Sequence, residues 1–362
     1  MEITMEQAID VGYSVFAAHK KNDLQMTFAK TNYQALNDCF GKDKTILQGG
    51  DQIKSWITLK DTGNAKHVGT GWDADSHNTR NINVEVVSKW KQATTNIDYS
   101  RIELGYTQDD KLRTYRYLQG QKLNMFREFA DLLYDSMWST PTSATDNLNP
   151  NGFPAWLSAG TDDSEGDWTG YQAQYSDGSG TAYNIGTVEC ASGTNDRWAS
   201  WYGDHKGVLG DNLLDLIDLA MMKTRFIPPM IPEKVDNPTN MHNFRFYTNA
   251  KVRRNINALL RKSDDRIGSD LAKYSGVPFY QGIPVLYVEI LDDANTDTYD
   301  TDPFFGINMD YMEVYVSKAN NFVVSPPKAR DQQHNIFSVY LDLSYAYHCR
   351  NRQRLGFLLN EQ

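Results

Sequence analysis

Phe244-Arg-Phe-Tyr-Thr-Asn-Ala250, running on as a helical pattern to Leu260 and followed after a break by Phe279-Tyr-Gln-Gly-Ile-Pro-Val285, is the passage on which the fold of this chain turns. The aromatic run Phe244 to Thr248 has the composition of a strand. Asn249 stands where a side-chain oxygen can accept from the first free amides of a helix. Val252, Ile256, Leu259 and Leu260 then fall at i, i+4, i+7 and i+8, one apolar helical face. Around this passage the order after Gly210 is α, β, α, β, β. A short helix over about 211–223 places Leu213, Ile217, Ala220 and Met221 together and ends before Pro228-Pro229. Strands are expected at Ile283 to Ile290 and Met312 to Val316, joined by an Asp-rich loop over 292–303, and the C-terminal runs Phe337 to Tyr347 and Leu355 to Leu359 alternate like strands of a half-buried sheet.

Upstream, Gln108 to Trp138 is the longest helical signal, with Tyr115, Leu118, Met125, Phe126, Phe129, Leu132 and Leu133 on one broad face. At ~1.5 Å per residue it would be a strut on the order of 45 Å long. Thr107 and Asp110 have capping-box spacing at its start, and Gly120 inside it predicts a kink or a close contact. Residues 46–106 change to short extended runs, Ile53 to Leu59, Ile82 to Val87 and Ile97 to Leu104, separated by glycine-containing stretches, and read as a long hairpin. Its middle, about 60–80, is too poor in apolar side chains to bury much surface alone and needs a partner to become ordered. Residues 1–45 read as a helix-prone arm, with Ala8, Val11, Val15 and Ala18 at helical spacing. No internal repeat is visible.

The chain has 362 residues, is 40% hydrophobic and 12% aromatic, and so is neither disordered nor collagen-like. Its longest apolar stretch, Ile283 to Val288, contains Pro284 and is far shorter than the roughly 20 residues of a membrane-spanning helix. The acidic start Met1-Glu-Ile-Thr-Met-Glu-Gln lacks a secretory pattern, which gives a cytoplasmic origin as the expectation. A formal charge of −10 disfavours direct gripping of DNA, because counterion release rewards cationic surfaces. Cys39, Cys190 and Cys349 fit neither a metal knuckle nor a disulfide framework and are expected to be ordinary reduced side chains. The block 150–205 holds eight acidic residues against one basic residue, Arg197, together with Trp156, Trp168, Trp198 and Trp201.

Carboxylates among aromatics could form a glycosidase pair, and Asp163, Glu165 and Asp167 are the candidates, although nothing singles out two of them. Neither that block nor Asp293, Asn295 and Asp297 completes a calcium loop. The seven histidines show no HExxH pair and are expected to be structural or exposed, and Gly178-Ser-Gly180 lacks both the phosphate-loop Lys and the nucleophile elbow. No metal, cofactor or catalytic residue is expected. The basic groups Lys251-Val-Arg253-Arg254 with Arg261-Lys262, and Arg350 to Arg354, could meet phosphates, a neighbour's acidic block, or only solvent.

The assembled order of helical arm, long extended loop, one long helix, and an α/β region ending in long strands resembles the major capsid protein of tailed double-stranded-DNA bacteriophages, the Hong Kong 97-type fold. The strand-cap-helix passage at 244–260 and the Gly282-Ile-Pro-Val285 turn into a strand carry the likeness, with Trp198-Ala-Ser-Trp201 placed before the helix at 213–221. The resemblance implies an α+β fold divided as N-terminal arm 1–45, extended loop 46–106, peripheral domain 107–208 with the spine helix and the acidic block as insertion or connector, axial domain 209–325, and C-terminal strands 326–362 returning to the peripheral domain. It implies a non-enzymatic coat protein of the virion, assembled in the host cytoplasm through pentamers and hexamers into a shell. The shell would enclose double-stranded DNA without reading its sequence, with scaffolding, portal and possible decoration proteins as partners. Trp56, Lys60, Lys66, Trp72, Arg253 and Arg254 are the candidate subunit contacts. Lys54, Lys60 and Lys66 could serve as crosslinking lysines, but no acceptor or catalytic carboxylate is identifiable, so no crosslink is predicted. Two rivals stay open: an encapsulin-like compartment with enzyme cargo, and a carbohydrate-binding or carbohydrate-cleaving domain built on the 150–205 block.

Overall fold

The computed structural model describes residues 34–40, 45–47, 49–60, 62–67, 82–102, 111–141, 146–157, 171–173, 185–188, 198, 200–205, 211–224, 244–263, 278–292, 302–330 and 333–360. In chain order these form α1 (Gln34–Phe40), β1 (Thr45–Leu47), β2 (Gln52–Thr58), β3 (Asn83–Lys89), β4 (Lys91–Ser100) and the long helix α2 (Lys111–Met137). There follow the single turn α3 (Phe153–Trp156), β5 (Tyr171–Ala173), β6 (Ser200–Asp204), α4 (Asp211–Thr224), β7 (Phe244–Thr248), α5 (Ala250–Ser263), β8 (Phe279–Tyr280) and β9 (Ile283–Tyr287). The chain continues through β10 (Phe304–Asn308), β11 (Met312–Ser317), β12 (Val323–Val324), β13 (Lys328–Arg330), β14 (Gln333–Cys349), the short turn α6 (Arg352–Leu355) and β15 (Gly356–Asn360). The helical pattern at 8–18 and the capping pair Thr107 and Asp110 lie outside the described residues. By internal contacts the chain divides into two units.

The first unit takes Met1–Asp51, Trp90–Met137 and Tyr315–Ala346. Its backbone frame is the antiparallel pair of β4 and β14, in register from Lys91 opposite Tyr345 to Ser100 opposite Ile336, with β1 parallel to β11 and with β12 and β13 also paired to β14. The apolar positions explain the pairing. Ala93, Ile97 and Tyr99 of β4 are buried while Gln92, Thr94, Asn96 and Asp98 are exposed, and Tyr99 stacks on its cross-strand partner Phe337 at 5.7 Å. Thus the third extended run, which sequence reading attached to the hairpin as Ile97 to Leu104, is part of a different sheet. On α2, Leu118, Met125, Phe129 and Leu133 are buried at helical spacing, whereas Phe126 and Leu132 from the same broad face remain 37% and 46% exposed. Tyr345 donates to Ser136 Oγ at 3.1 Å near the end of that helix, and its ring lies 6.1 Å from that of Phe40.

Gly120 neither breaks α2 nor admits a close neighbour: a Cβ there would meet nothing within 4 Å. Gly120→Ala should therefore raise stability by about 1 kcal/mol, because it removes backbone freedom from the unfolded chain without a clash. A rise in the urea midpoint checks this.

The second unit takes Gln52–Lys89, Trp138–Val314 and Tyr347–Gln362. Its seven-stranded sheet runs β5-β6-β15-β10-β7-β9-β8. Every residue of β10 and β15 is buried, as expected for central strands covered on both faces. On one face, Phe244, Phe246, Val285, Phe304, Phe357 and Leu359 pack with Leu213, Ile217 and Ala220 of α4 and with Val252 and Ile256 of α5. Alternation sends Tyr247 and Phe305 to the other face, where the Trp138 ring lies 5.4 Å and 5.5 Å from them and 5.2 Å from Phe153. Asn249 caps α5 as its position predicts, accepting from the Val252 amide at 2.9 Å. Gln281 and Gly282, at φ of 50° and 81°, make the two-residue primed turn between β8 and β9.

The acidic, tryptophan-rich block contributes β5 and β6 to this sheet, with β6 parallel to β15 and β5 antiparallel to β6. The C-terminal runs separate: β14 up to Ala346 belongs to the first unit, while β15 lies between β6 and β10 in the second. The half-buried alternation expected of the first run holds only over Val339 to Asp342; Phe337 to Val339 and Leu343 to Cys349 are each buried without interruption.

Candidate functional site

The hairpin β2–β3 carries most of the candidate contact residues, and its two faces differ. The strands pair from Gln52 opposite Lys89 to Thr58 opposite Asn83, and the ladder continues through Leu59 N–H donating to Ile82 O at 3.2 Å. On the outward face, Lys54 and Glu85 pair at 2.9 Å beside Trp56, whose side chain is 68% exposed. On the inward face, Ile53 and Val86 are buried. Val86 approaches Gly186 so closely that a Cβ at 186 would lie 2.7 Å from it, and the φ of 68° there also favours glycine.

Lys60 and Lys66 are exposed beyond the end of the strands, while Trp72 lies outside the described residues. Arg253 is half-buried and Arg254 exposed on α5. The structure thus places the described candidates on two separate elements, the hairpin and α5.

The tryptophan block has no sugar-binding platform among its described residues. Trp156 and Trp198 are wholly buried and meet edge to face at 6.2 Å, with their indole N–H groups donating to Asn151 O and Ile185 O. A ring with no accessible face cannot stack on a pyranose. Trp201 is half-buried against the sheet core. Trp168 and the carboxylates Asp163, Glu165 and Asp167 lie outside the described residues. Among the described residues no group of three His, Cys, Asp or Glu side chains could hold a metal ion, and no helix is long and apolar enough to cross a membrane.

No family model and no curated protein matches the sequence. Solved structures do match. The cyanophage A-1(L) capsid chain superposes with a TM-score of 0.63 at 12% identity, covering 95% of this chain and 96% of that one. A capsid chain of the native GTA particle gives 0.52 at 12% identity, with 95% and 97% covered, and the cyanophage Pam1 capsid chain gives 0.52 at 14%, with 95% and 96% covered. The fold is that of phage capsid chains. The likeness spans both units and nearly the whole length of each chain.

Within this phage-capsid fold, two polar residues that the sequence does not mark as interior are buried among several elements. Arg352 on α6 is wholly buried; its Nε donates to Trp156 O at 2.8 Å, and its guanidinium lies 3.4 Å from Ser200 Oγ. It joins the C-terminus, the α3 turn and β6 of the block. The clue is an arginine just before an apolar strand, but the run Arg350 to Arg354 reads equally as a group that meets phosphates, a neighbour's acidic block or solvent. Arg350 does pair outward, with Glu313 at 2.6 Å. Arg352→Met should leave these acceptors without their donor and cost about 2–3 kcal/mol, seen as a lower urea midpoint.

His348, at the end of β14, is the second. It is buried between Ser55 Oγ and Ser88 Oγ, 2.7 Å and 2.8 Å from its two ring nitrogens. Burial, reinforced by the Arg350 guanidinium, pulls its pKa down to about 4, so it is neutral at pH 7. Burial likewise pushes the neighbouring Cys349 thiol up to about 12. Cys39 and Cys349 are buried thiols that form no disulfide, and Cys190 lies outside the described residues.

Proposed function

We propose that this chain is the major capsid protein of a tailed double-stranded-DNA phage, with the Hong Kong 97-type arrangement, self-assembling through pentamers and hexamers into the shell of the virion. The observation that carries the reading is the likeness to capsid chains over 95% of the sequence. The hairpin is the extended loop, α2 the spine helix of the peripheral domain, and the sheet with α4 and α5 the axial domain. An outward face bearing Trp56 gains burial when it lies on an adjacent copy. Heterologous contacts of this kind close into rings, and many modest contacts per subunit sum to a stable shell. Scaffolding, portal and decoration proteins are the expected partners, with assembly in the host cytoplasm.

Negative-stain microscopy of the purified full-length protein tests the reading. Closed shells built of ring-shaped capsomers are expected. With a charge of −10 per subunit, their yield should rise with salt as repulsion is screened. A solitary monomer at every concentration and ionic strength overturns the proposal. Nuclease-protected double-stranded DNA in particles from infected cells separates a phage shell from an encapsulin-like compartment, which would hold enzyme cargo instead.

A further inference from the structure

The foot of the hairpin is tied down by a buried imidazole in an unusual setting. Ser55 on β2 and Ser88 on β3 point inward on the face shared with Ile53 and Val86. Both hydroxyls converge on His348, one at Nε2 and the other at Nδ1. A neutral imidazole has one N–H donor and one acceptor, and a hydroxyl can serve either, so the three groups satisfy one another with no charge present. Serine contributes little to strand packing, and both serines occupy positions where an apolar side chain would bury more surface. Their common partner explains them.

The charges around this cluster are asymmetric. Arg350, two residues along from the histidine, acts on the imidazole and is itself engaged by Glu313 from β11. The hairpin's own Lys54 and Glu85 pair with each other on the opposite, outward face, and Lys89 at the end of β3 is exposed. A proton added to His348 therefore places a second positive charge, buried, beside Arg350.

We propose that His348 is a proton-sensitive latch: neutral, it fastens both strands of the hairpin to the end of β14, and protonated, it releases the hairpin foot. Protonation does not remove hydrogen bonds, since both ring N–H groups can donate to the serine oxygens. What it adds is the desolvation of a cation and repulsion from Arg350. The sign follows from linkage. The histidine titrates near 6.5 when solvated and near 4 when latched, so the released form binds the proton more tightly. The latch holds fully above about pH 6.5 and weakens as the pH falls towards 4.

The latch stands on the hairpin contacts alone; its bearing on assembly rests on the capsid reading. Hydrogen exchange of the unassembled full-length chain separates the two, because it reads the hairpin whether or not shells form. Corrected for intrinsic exchange, opening of the β2 and β3 amides should increase on the order of fiftyfold between pH 7.5 and 4.5, while amides of the β10–β15 pair stay unchanged. In His348→Gln, neutral at every pH, the hairpin response should be flat. An equal response in that variant, or none in the native protein, overturns the proposal. If the variant does not fold, an NMR titration of His348 in the native chain decides: a value well below 6.5 that coincides with hairpin opening supports the latch, and an ordinary value overturns it.

Discussion

Removing residues 60–80 should leave a folded subunit that forms no stable shell. Leu59 is buried and its amide already meets Ile82 O at 3.2 Å, so the strand pair is complete without the tip. With Asn81 retained and one glycine inserted before Ile82, an Asn-Gly pair closes β2 onto β3 in the turn type that two-residue hairpins favour. Little apolar burial goes with the tip: the described residues 62–67 are all exposed or half-buried, and the whole stretch contains only Val68 and Trp72 as large apolar side chains. Circular dichroism and the urea midpoint should be nearly unchanged. Between subunits the effect is large. A contact of about 3 kcal/mol corresponds to more than a hundredfold in each association step, and every copy would lose it. Microscopy should show free subunits or rings; normal particles from the deletion would mean that the hairpin tip is not an assembly element.

Gly356→Ala should abolish the fold of the second unit. Gly356 begins β15 opposite Ile307 with φ of 154°, and a Cβ built there would lie 1.8 Å from the carbonyl oxygen of Gly306. The obstacle is main chain in the middle of the sheet, so no side-chain rotation relieves it; the two strands would have to part. Gly306 is the other half of the arrangement. The Phe357 ring lies over it, where a Cβ would come within 2.4 Å of the ring, and the same ring stacks on Phe304 at 6.3 Å. Separating β15 from β10 would also expose residues now buried along both strands. The expected loss exceeds about 4 kcal/mol, a large part of the stability of an ordinary domain. The variant should be insoluble, or should lose cooperative unfolding. Gly306→Ala, obstructed by a ring rather than by backbone, should be damaged less, and equal behaviour of the two variants would contradict the geometry.

Local elements were legible because their signals are local. Phe244 to Thr248 is a strand at the predicted residues, Asn249 does cap the following helix, and the helix predicted over 211–223 is found at Asp211–Thr224. The long helix expected over Gln108 to Trp138 is found at Lys111–Met137, with Gln108 to Asp110 outside the described residues. Partner choice was far less legible. The alternation of Ala93, Ile97 and Tyr99 says that β4 has one buried face, yet nothing nearby indicates that Phe337 lies across from Tyr99. Likewise, an acidic composition hides that Trp156 and Trp198 are core residues. The basic run Arg350 to Arg354 hides that its middle arginine points inward.

Taken alone, the sequence determined the strand, cap and helix at 244–260, the helices near 211–224 and 111–137, and the extended runs of β2 and β3, because helical and strand periodicity and capping depend on residues a few positions apart. Tertiary structure alone decided that β15 enters between β6 and β10, that Arg352 is interior, and that His348 reaches Ser55 across 293 positions of chain. Such choices compare whole packed surfaces, in which burial and hydrogen-bond satisfaction are summed over segments that meet only after the chain has folded.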